Sequence, residues 1–487
     1  MKSFFKQNQY WLSFFLGIVL SISAYLFNPF ALDIVASKAV AVAILMVVWW
    51  ITEALPIPAV ALLPLVLLPL LKISTFEEAS KSYSNPVIFL FMGGFMLGLA
   101  IQKWNLHKRI ALHIVKITGT SGDRIILGFI IATGFLSMWL SNTATTMMMF
   151  PIALSVIAVM KEHEKPGRGM INFSLAIMLV IAYASNIGGI ATPIGTPPNV
   201  AFIGFIEKKY GYTIQFVDWM LLCTPIALVL LTALYFVLTK WLFPNRIKSS
   251  NETNLLINSQ VSALGKITTA EKRVLIVFVA TALLWITKDF INALNLVKLD
   301  DNMIAIVGAL ALFAIPNGAK DAEKGKMLLE WNDTSKMAWG ILLLFGGGIA
   351  LAAALEKVGV MVQVGNWLAG FSQTGGFTLV LLIVVISIFL SELMSNTAQV
   401  IVMAPVLAAL ADALHLDPLL LGIPMSLAAS AASMMPIGTP PNAIVFGSGF
   451  IRLKDMIKAG FVMNVISIIV ITIFSYFVLP LIMRVMN

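Results

Sequence analysis

The fold class predicted is an all-α, multi-pass membrane protein built from two copies of one unit. Three observations predict it. First, 59% of the 487 residues are hydrophobic and 11% are charged, with mean hydropathy +0.94, whereas a soluble domain carries roughly 25% charged residues. Second, the apolar residues form long blocks, among them Trp11 to Ala31, Ala39 to Trp50, Ile125 to Leu140, Trp219 to Leu238, Val274 to Ile286 and Phe377 to Leu390. Several approach the roughly 20 residues that cross a bilayer core. They are apolar on every face, unlike the alternating strands of a β-barrel, and lipid offers the backbone no hydrogen-bond partner outside a helix. Third, three motifs recur in the same order in the two halves.

Taken in order, helices are expected at about 10–31, 37–52, 55–71 and 84–103, a pair at 124–140 and 142–160, an interrupted segment at 170–206, and 217–239. The second half reads about 272–288, 301–315, 337–356, a pair at 377–393 and 397–412, an interrupted segment at 420–447, and 458–484. The division is 1–35, an N-terminal transmembrane helix; 36–239, a first repeat; 240–271, a basic linker; and 272–487, a second repeat. Lys2 and Lys6 precede the first apolar stretch, but no small-residue cleavage site follows, so it reads as a retained helix. The linker region carries Lys240, Arg246, Lys248, Lys266, Lys272 and Arg273 against Glu252 and Glu271. By the positive-inside tendency it belongs on the cytoplasmic side, as does the amino terminus. Its centre, Ser249 to Ser262, is polar enough for a flexible connector. The net charge of +9 is dispersed among short loops, which argues against nucleic-acid binding. Lone Cys223 sits in an apolar run as a packed thiol. The stretch holding Lys103, His107, Lys108, Arg109 and Lys116 among Trp104, Leu106, Ile110, Leu112 and Val115 reads either as an amphipathic helix along the interface or as an ordinary basic loop.

The repeat is explicit. Gly93-Gly94 to Ala100 parallels Gly347-Gly348 to Ala354, and Ser141-Asn142-Thr143-Ala144 recurs as Ser395-Asn396-Thr397-Ala398, both 254 residues downstream. Pro193-Ile194-Gly195-Thr196-Pro197-Pro198-Asn199 recurs identically at Pro436 to Asn442, 243 residues downstream; the charged insertion Lys161 to Arg168 in the first copy is a candidate for most of the shorter offset. The members of each helix pair are short for a crossing and flank a Ser-Asn-Thr motif, which suggests hairpins that turn within the membrane. The Pro-Pro motifs interrupt apolar segments because proline lacks a backbone donor and clashes with a continuing helix. Interrupted segments at matching places in two halves point to a transporter binding site.

Ser, Asn and Thr at a helix break offer hydroxyls and amides beside unpaired backbone groups. Helix amino termini can hold carboxylate oxygens, and exposed carbonyls can hold a bare cation. Asn142 and Asn396 carry both a donor and an acceptor; Thr143 and Thr397 can donate to a carboxylate. Gly195 and Gly438 permit close backbone approach. Capping or interhelical hydrogen bonding would account for one such motif, but not for two kinds of motif each found twice. Gly93-Gly94 and Gly346-Gly347-Gly348 read as close helix packing. Glu53, Glu356 and Glu392 are the acidic residues in or beside membrane segments, and they come with no metal-ligand spacing or nucleophile. No enzyme and no cofactor is expected.

Ser137-Met138-Trp139-Leu140 through Thr146, Gly195 to Asn199, Glu392 to Ala398 and Thr439 to Phe446 resemble the divalent anion:sodium symporter family. That resemblance implies about eleven transmembrane helices, two re-entrant hairpins, inverted repeats, a homodimer and an elevator mechanism. It implies one sodium site at Ser137, Ser141, Asn142 and Gly195, and a second at Ser391, Met394, Asn396 and Gly438. Substrate contacts would fall to Asn142, Thr143, Thr196, Asn396, Thr397, Thr439 and Pro440. Two departures fall in the second half: Gln399-Val400 stands where many members have Thr-Thr, and Met394 where a small or hydroxylated residue is usual. The expected activity is sodium-coupled transport of C4 dicarboxylates (succinate, malate, fumarate) across the bacterial cytoplasmic membrane, with dicarboxylate, sodium, lipid and a second copy as partners. Alternatives are a citrate or sulfate transporter, a non-transporting scaffold or receptor, and a sodium-independent dicarboxylate exchanger, for which Lys103, Lys357 or Arg452 would compensate charge.

Overall fold

The computed structural model describes residues 2–28, 32–163, 167–245, 247–248, 251–295, 297–318, 326–371 and 376–486. Among them the chain is almost wholly helical. The first part comprises α1 (Lys2–Phe27), α2 (Ile34–Thr52), α3 (Ile57–Val60), α4 (Leu63–Leu70), α5 (Phe76–Lys81), α6 (Pro86–Lys103) and α7 (Leu106–Thr118). There follow α8 (Gly122–Ser137), α9 (Asn142–His163), α10 (Arg168–Ile190), α11 (Pro197–Tyr210), α12 (Phe216–Phe236), α13 (Asn251–Ala263), α14 (Thr269–Ala293) and α15 (Asp301–Ala314). The chain ends in α16 (Trp339–Lys357), α17 (Val360–Phe371), α18 (Gly376–Ser391), α19 (Asn396–Ala413), α20 (Pro418–Ala431), α21 (Pro440–Phe446), α22 (Leu453–Ile473) and α23 (Leu479–Met486). Among the described residues, 9 helices are long and apolar enough to cross a membrane.

Local chemistry sets many of the boundaries. Asp33 caps α2 through the N–H groups of Val35 and Ala36, both at 2.8 Å. Thr75–Glu78 and Thr268–Glu271 form capping boxes on α5 and α14. Asn85 caps α6, whose first residue is Pro86. The helix expected at 55–71 is two pieces, α3 and α4, with Pro56, Pro58 and Pro64 at their starts. The basic stretch after Trp104 is the amphipathic helix α7: Leu106, Ala111, Leu112 and Val115 are buried, while Lys108, His113 and Lys116 are exposed. Residues 251–263 are helical, not a flexible connector, because α13 packs Ile257 into the core against α7 and α9. Arg246, Ser249 and part of the Lys161–Arg168 insertion lie outside the described residues.

The second arms of the two helix pairs are longer than expected. α9 and α19 both reach crossing length, while α8 and α18 have 16 residues each. Every residue of α10 from Phe173 to Ile190 is buried, so its all-round apolar surface faces protein. α14 and α22 instead leave large apolar side chains such as Phe290, Leu283 and Phe461 exposed, surface that a bilayer would solvate. The glycine pairs do pack helices: a Cβ on Gly93 would lie 2.6 Å from the Ala305 carbonyl on α15, and one on Gly347 would collide with the Ala61 carbonyl.

α6 to α12 and α16 to α22 follow one another in the same order. The two series interlock. α9 packs on α21, α19 on α11, and α10 on α21 and α20. The helices that follow the Ser-Asn-Thr turns of one repeat therefore pack on helices that follow the Pro-Pro breaks of the other. One buried ion pair lies beside this assembly: Lys288 on α14 meets Asp301 at 2.8 Å, and the second Asp301 oxygen accepts the Phe216 N–H at 2.7 Å at the start of α12.

Candidate substrate and cation site

Four helices begin at motif residues. α9 and α19 start at Asn142 and Asn396, directly after the turns at 138–141 and 392–395; α11 and α21 start at Pro197 and Pro440. A proline forces the preceding residue out of the helical region. Accordingly Thr196 (φ −144°, ψ 141°) and Thr439 (φ −141°, ψ 149°) are both extended.

The breaks between α10 and α11 and between α20 and α21 leave helix-end carbonyls without intrahelical partners. In the first, Asn199 Nδ2 donates to the carbonyls of Gly189 (3.1 Å), Ile190 (3.4 Å) and Thr192 (2.9 Å). In the second, the equivalent Asn442 Nδ2 donates to the Met435 carbonyl at 3.1 Å. The breaks are tied to the hairpins differently. Thr192 donates its hydroxyl to the Met138 carbonyl. At the corresponding place in the second repeat stands buried Glu392, whose carboxylate accepts the N–H groups of Ser433, Met434 and Met435, each at 2.8 Å, and Asn464 Nδ2 at 2.7 Å.

The half-sites mirror one another. Ser137 Oγ lies 2.7 Å from Asn142 Oδ1, and Ser391 Oγ lies 2.6 Å from Asn396 Oδ1. A Cβ on Gly195 would come 3.0 Å from the Ser137 carbonyl oxygen, and one on Gly438 would come 3.5 Å from that of Ser391. Ser391 Oγ is also 2.7 Å from the Ala429 carbonyl, so its single proton serves two acceptors. Ser141 Oγ accepts the Ala144 N–H at 3.3 Å.

One cavity of about 870 Å³ joins the half-sites. Asn142, Thr143, Thr196, Asn396, Thr397, Thr439 and Pro440 all line it, together with Ser141, Met394 and Gly438. Ser137 and Ser391 are buried behind Asn142 and Asn396, and Gly195 lies beside Ser137. Trp50 to Glu53, Ile57, Pro58 and the start of α16 also line the cavity. Among the described lining residues there is no Lys, Arg or His, and the only carboxylate is Glu53. Lys103, Lys357 and Arg452 are not lining residues; each is paired with a carboxylate, Asp333 (2.7 Å), Glu78 (2.8 Å) and Asp455 (2.6 Å) respectively. Charge compensation by these three is therefore not supported by their positions.

The sodium:sulfate symporter transmembrane region matches residues 7–484. The chain belongs to that family. The sodium-dependent dicarboxylate transporter SdcS of Staphylococcus saprophyticus is 41% identical over 468 residues, covering 95% of this chain and 90% of that protein. The Staphylococcus aureus protein of the same name is 40% identical over 478 residues, covering 96% and 92%. Among solved structures, the YdaH transporter of Alcanivorax borkumensis has a similar fold, with TM-score 0.55 at 13% identity, covering 83% of this chain and 88% of that one.

Within this symporter-family chain the departure at Gln399 points away from the cavity. Its Nε2 donates to the Ser387 carbonyl (2.9 Å) and hydroxyl (2.6 Å) on α18. Sequence reasoning missed Asn186, Asn199, Asn442 and Asn464 as site-building residues. For Asn186 and Asn464 the available signal was an amide inside an apolar segment; for Asn199 and Asn442 it was their place in the repeated motif.

Proposed function

We propose that this chain is a secondary transporter that couples sodium to the uptake of C4 dicarboxylates across the bacterial cytoplasmic membrane. The observation that carries the reading is one cavity where both repeats' motif side chains meet with no cationic side chain among its described lining residues. A dicarboxylate brings two negative charges, and burying them uncompensated would be very costly. The helix starts at Asn142 and Asn396 each offer roughly half a positive charge, which leaves compensation to bound cations. Ser391 Oγ, Asn396 Oδ1 and the Ala429 carbonyl crowd three oxygens around one proton, a donor set suited to a hard cation. The dicarboxylate transporters named above are described as sodium-dependent.

In this reading Asn142, Thr143 and Thr196 receive one carboxylate, and Asn396, Thr397, Thr439 and Pro440 the other. Sodium is held by Ser137, Ser141, Asn142 and Gly195, and by Ser391, Met394, Asn396 and Gly438, where Met394 offers a backbone oxygen. Cation binding orders the hairpin tips before the dicarboxylate enters. The finer architecture proposed is eleven transmembrane helices, two re-entrant hairpins and inverted repeats, with the site carried as an elevator within a homodimer. Labelled succinate uptake into proteoliposomes tests the substrate: malate and fumarate should compete and monocarboxylates should not. Preferential competition by sulfate or citrate overturns it. Cross-linking in mild detergent should give a two-chain species, and a persistent monomer in bilayers contradicts the dimer.

A further inference from the structure

The two half-sites differ in one residue that belongs to neither motif. Asn186, on the last turns of α10, is 1% exposed and lines the cavity. Its Nδ2 lies 3.1 Å from Thr439 Oγ1 and 3.4 Å from Asn442 Oδ1, across the boundary between the repeats.

The chemistry fixes every orientation in this chain of groups. Asn442 must present Nδ2 to the Met435 carbonyl, because a carbonyl can only accept. Asn442 Oδ1 is therefore the end that faces Asn186, so Asn186 must present its NH2 group there. Thr439 Oγ1 then accepts from Asn186 Nδ2, and it also accepts the Asn442 N–H at 3.3 Å. A hydroxyl has two acceptor lone pairs and one proton. With both lone pairs engaged, the Thr439 hydroxyl can act toward the cavity only as a donor. The cost falls on Asn186 itself: its Oδ1 is buried without a partner. In the first repeat, Thr196 has no side-chain cap, and the second-repeat residue corresponding to Asn186 is Ala429, which has no amide to offer it.

We propose that Asn186 is a positioning residue that holds Thr439 as an obligate donor, making the second half-site select an ionised carboxylate while the first, with a hydroxyl free to rotate, accepts more varied oxygen groups. The two ends of a substrate are then not interchangeable. This inference rests on the transport reading above and names a residue that sets its specificity.

The test is a double-mutant cycle on purified full-length protein in proteoliposomes, reading initial rates of labelled succinate uptake. Asn186→Ala and Asn186→Leu should each raise the succinate KM severalfold, up to about tenfold for one hydrogen bond to a charged group, because the Thr439 hydroxyl is no longer restricted to donating. Sodium half-activation should move less than twofold. Leu keeps the branching and heavy-atom number of Asn and also removes the orphaned oxygen, so it leaves no cavity at the site, and melting in detergent is recorded for both. Thr439→Ala should raise KM similarly, and adding Asn186→Leu to it should add nothing, whereas combining Asn186→Leu with Thr196→Ala should multiply the two effects. A wild-type KM in both Asn186 variants, or a multiplying effect with Thr439→Ala, overturns the proposal alone. A wild-type protein that takes up no succinate overturns the transport reading and this proposal with it.

Discussion

Glu392→Gln tests whether the second hairpin is held to its broken segment by charge. The wild-type carboxylate accepts three hydrogen bonds on Oε1 and one on Oε2. Glutamine keeps the shape but has one acceptor, so its oxygen takes the Oε1 position and its NH2 group opposes the Met435 N–H. One buried N–H loses its partner, at about 1–3 kcal/mol, and the other bonds weaken because a neutral acceptor is roughly half as strong as a charged one. The strain falls on Met435, whose carbonyl accepts from Asn442 Nδ2 and from the Gly438 N–H at 3.2 Å. Gly438 and neighbouring Ser391 belong to the proposed second cation half-site. Since about 1.4 kcal/mol is a factor of ten, the sodium concentration for half-maximal succinate uptake should rise at least about fivefold, while KM at saturating sodium changes less. Glu392→Ala orphans three backbone N–H groups at about 1–3 kcal/mol each, which approaches the stability of a whole domain, and it should fail to accumulate. Sodium activation and melting temperature unchanged in Glu392→Gln would refute this reasoning.

Asn142→Asp and Asn396→Asp remove a cavity-facing donor and place a negative charge beside the anion. Each should raise the succinate KM at least about tenfold and shift sodium activation, measured as initial uptake rates. Lys288→Met strands Asp301 as a buried unpaired carboxylate, at about 3–5 kcal/mol. Its melting temperature in detergent should fall clearly, and Asp301→Asn added to it should recover part of the loss.

The fold was legible where apolar runs were long, and the two motif pairs were legible because they repeat. All seven predicted substrate residues line one cavity. α13 was hidden because Ile257 and Val261 are scattered among polar residues, and the packing of this helix on α7 and α9 depends on tertiary contacts. α17 was hidden because Gly365 and the short apolar stretch around it give no strong periodic signal; that glycine packs against the Ala409 carbonyl. Asn186 and Glu392 could be seen as polar groups in apolar surroundings, but not their partners: the bonds from Asn186 to Thr439 and from Asn464 to Glu392 span 253 and 72 residues. Compensation by Lys103, Lys357 or Arg452, weighed only for the exchanger alternative, is not supported by their ion pairs, since charge in a sequence does not reveal which carboxylate, if any, it meets.

If bound cations supply the positive charge missing from the described cavity lining, sodium alone must drive transport. The decisive experiment is uptake of labelled succinate into empty proteoliposomes containing only the purified chain, with an inward sodium gradient as the sole driving force. Succinate should accumulate above its external concentration, rise steeply with external sodium, and stop accumulating when sodium is replaced by choline. Uptake undiminished in choline but dependent on internal dicarboxylate would contradict symport and make the protein an exchanger.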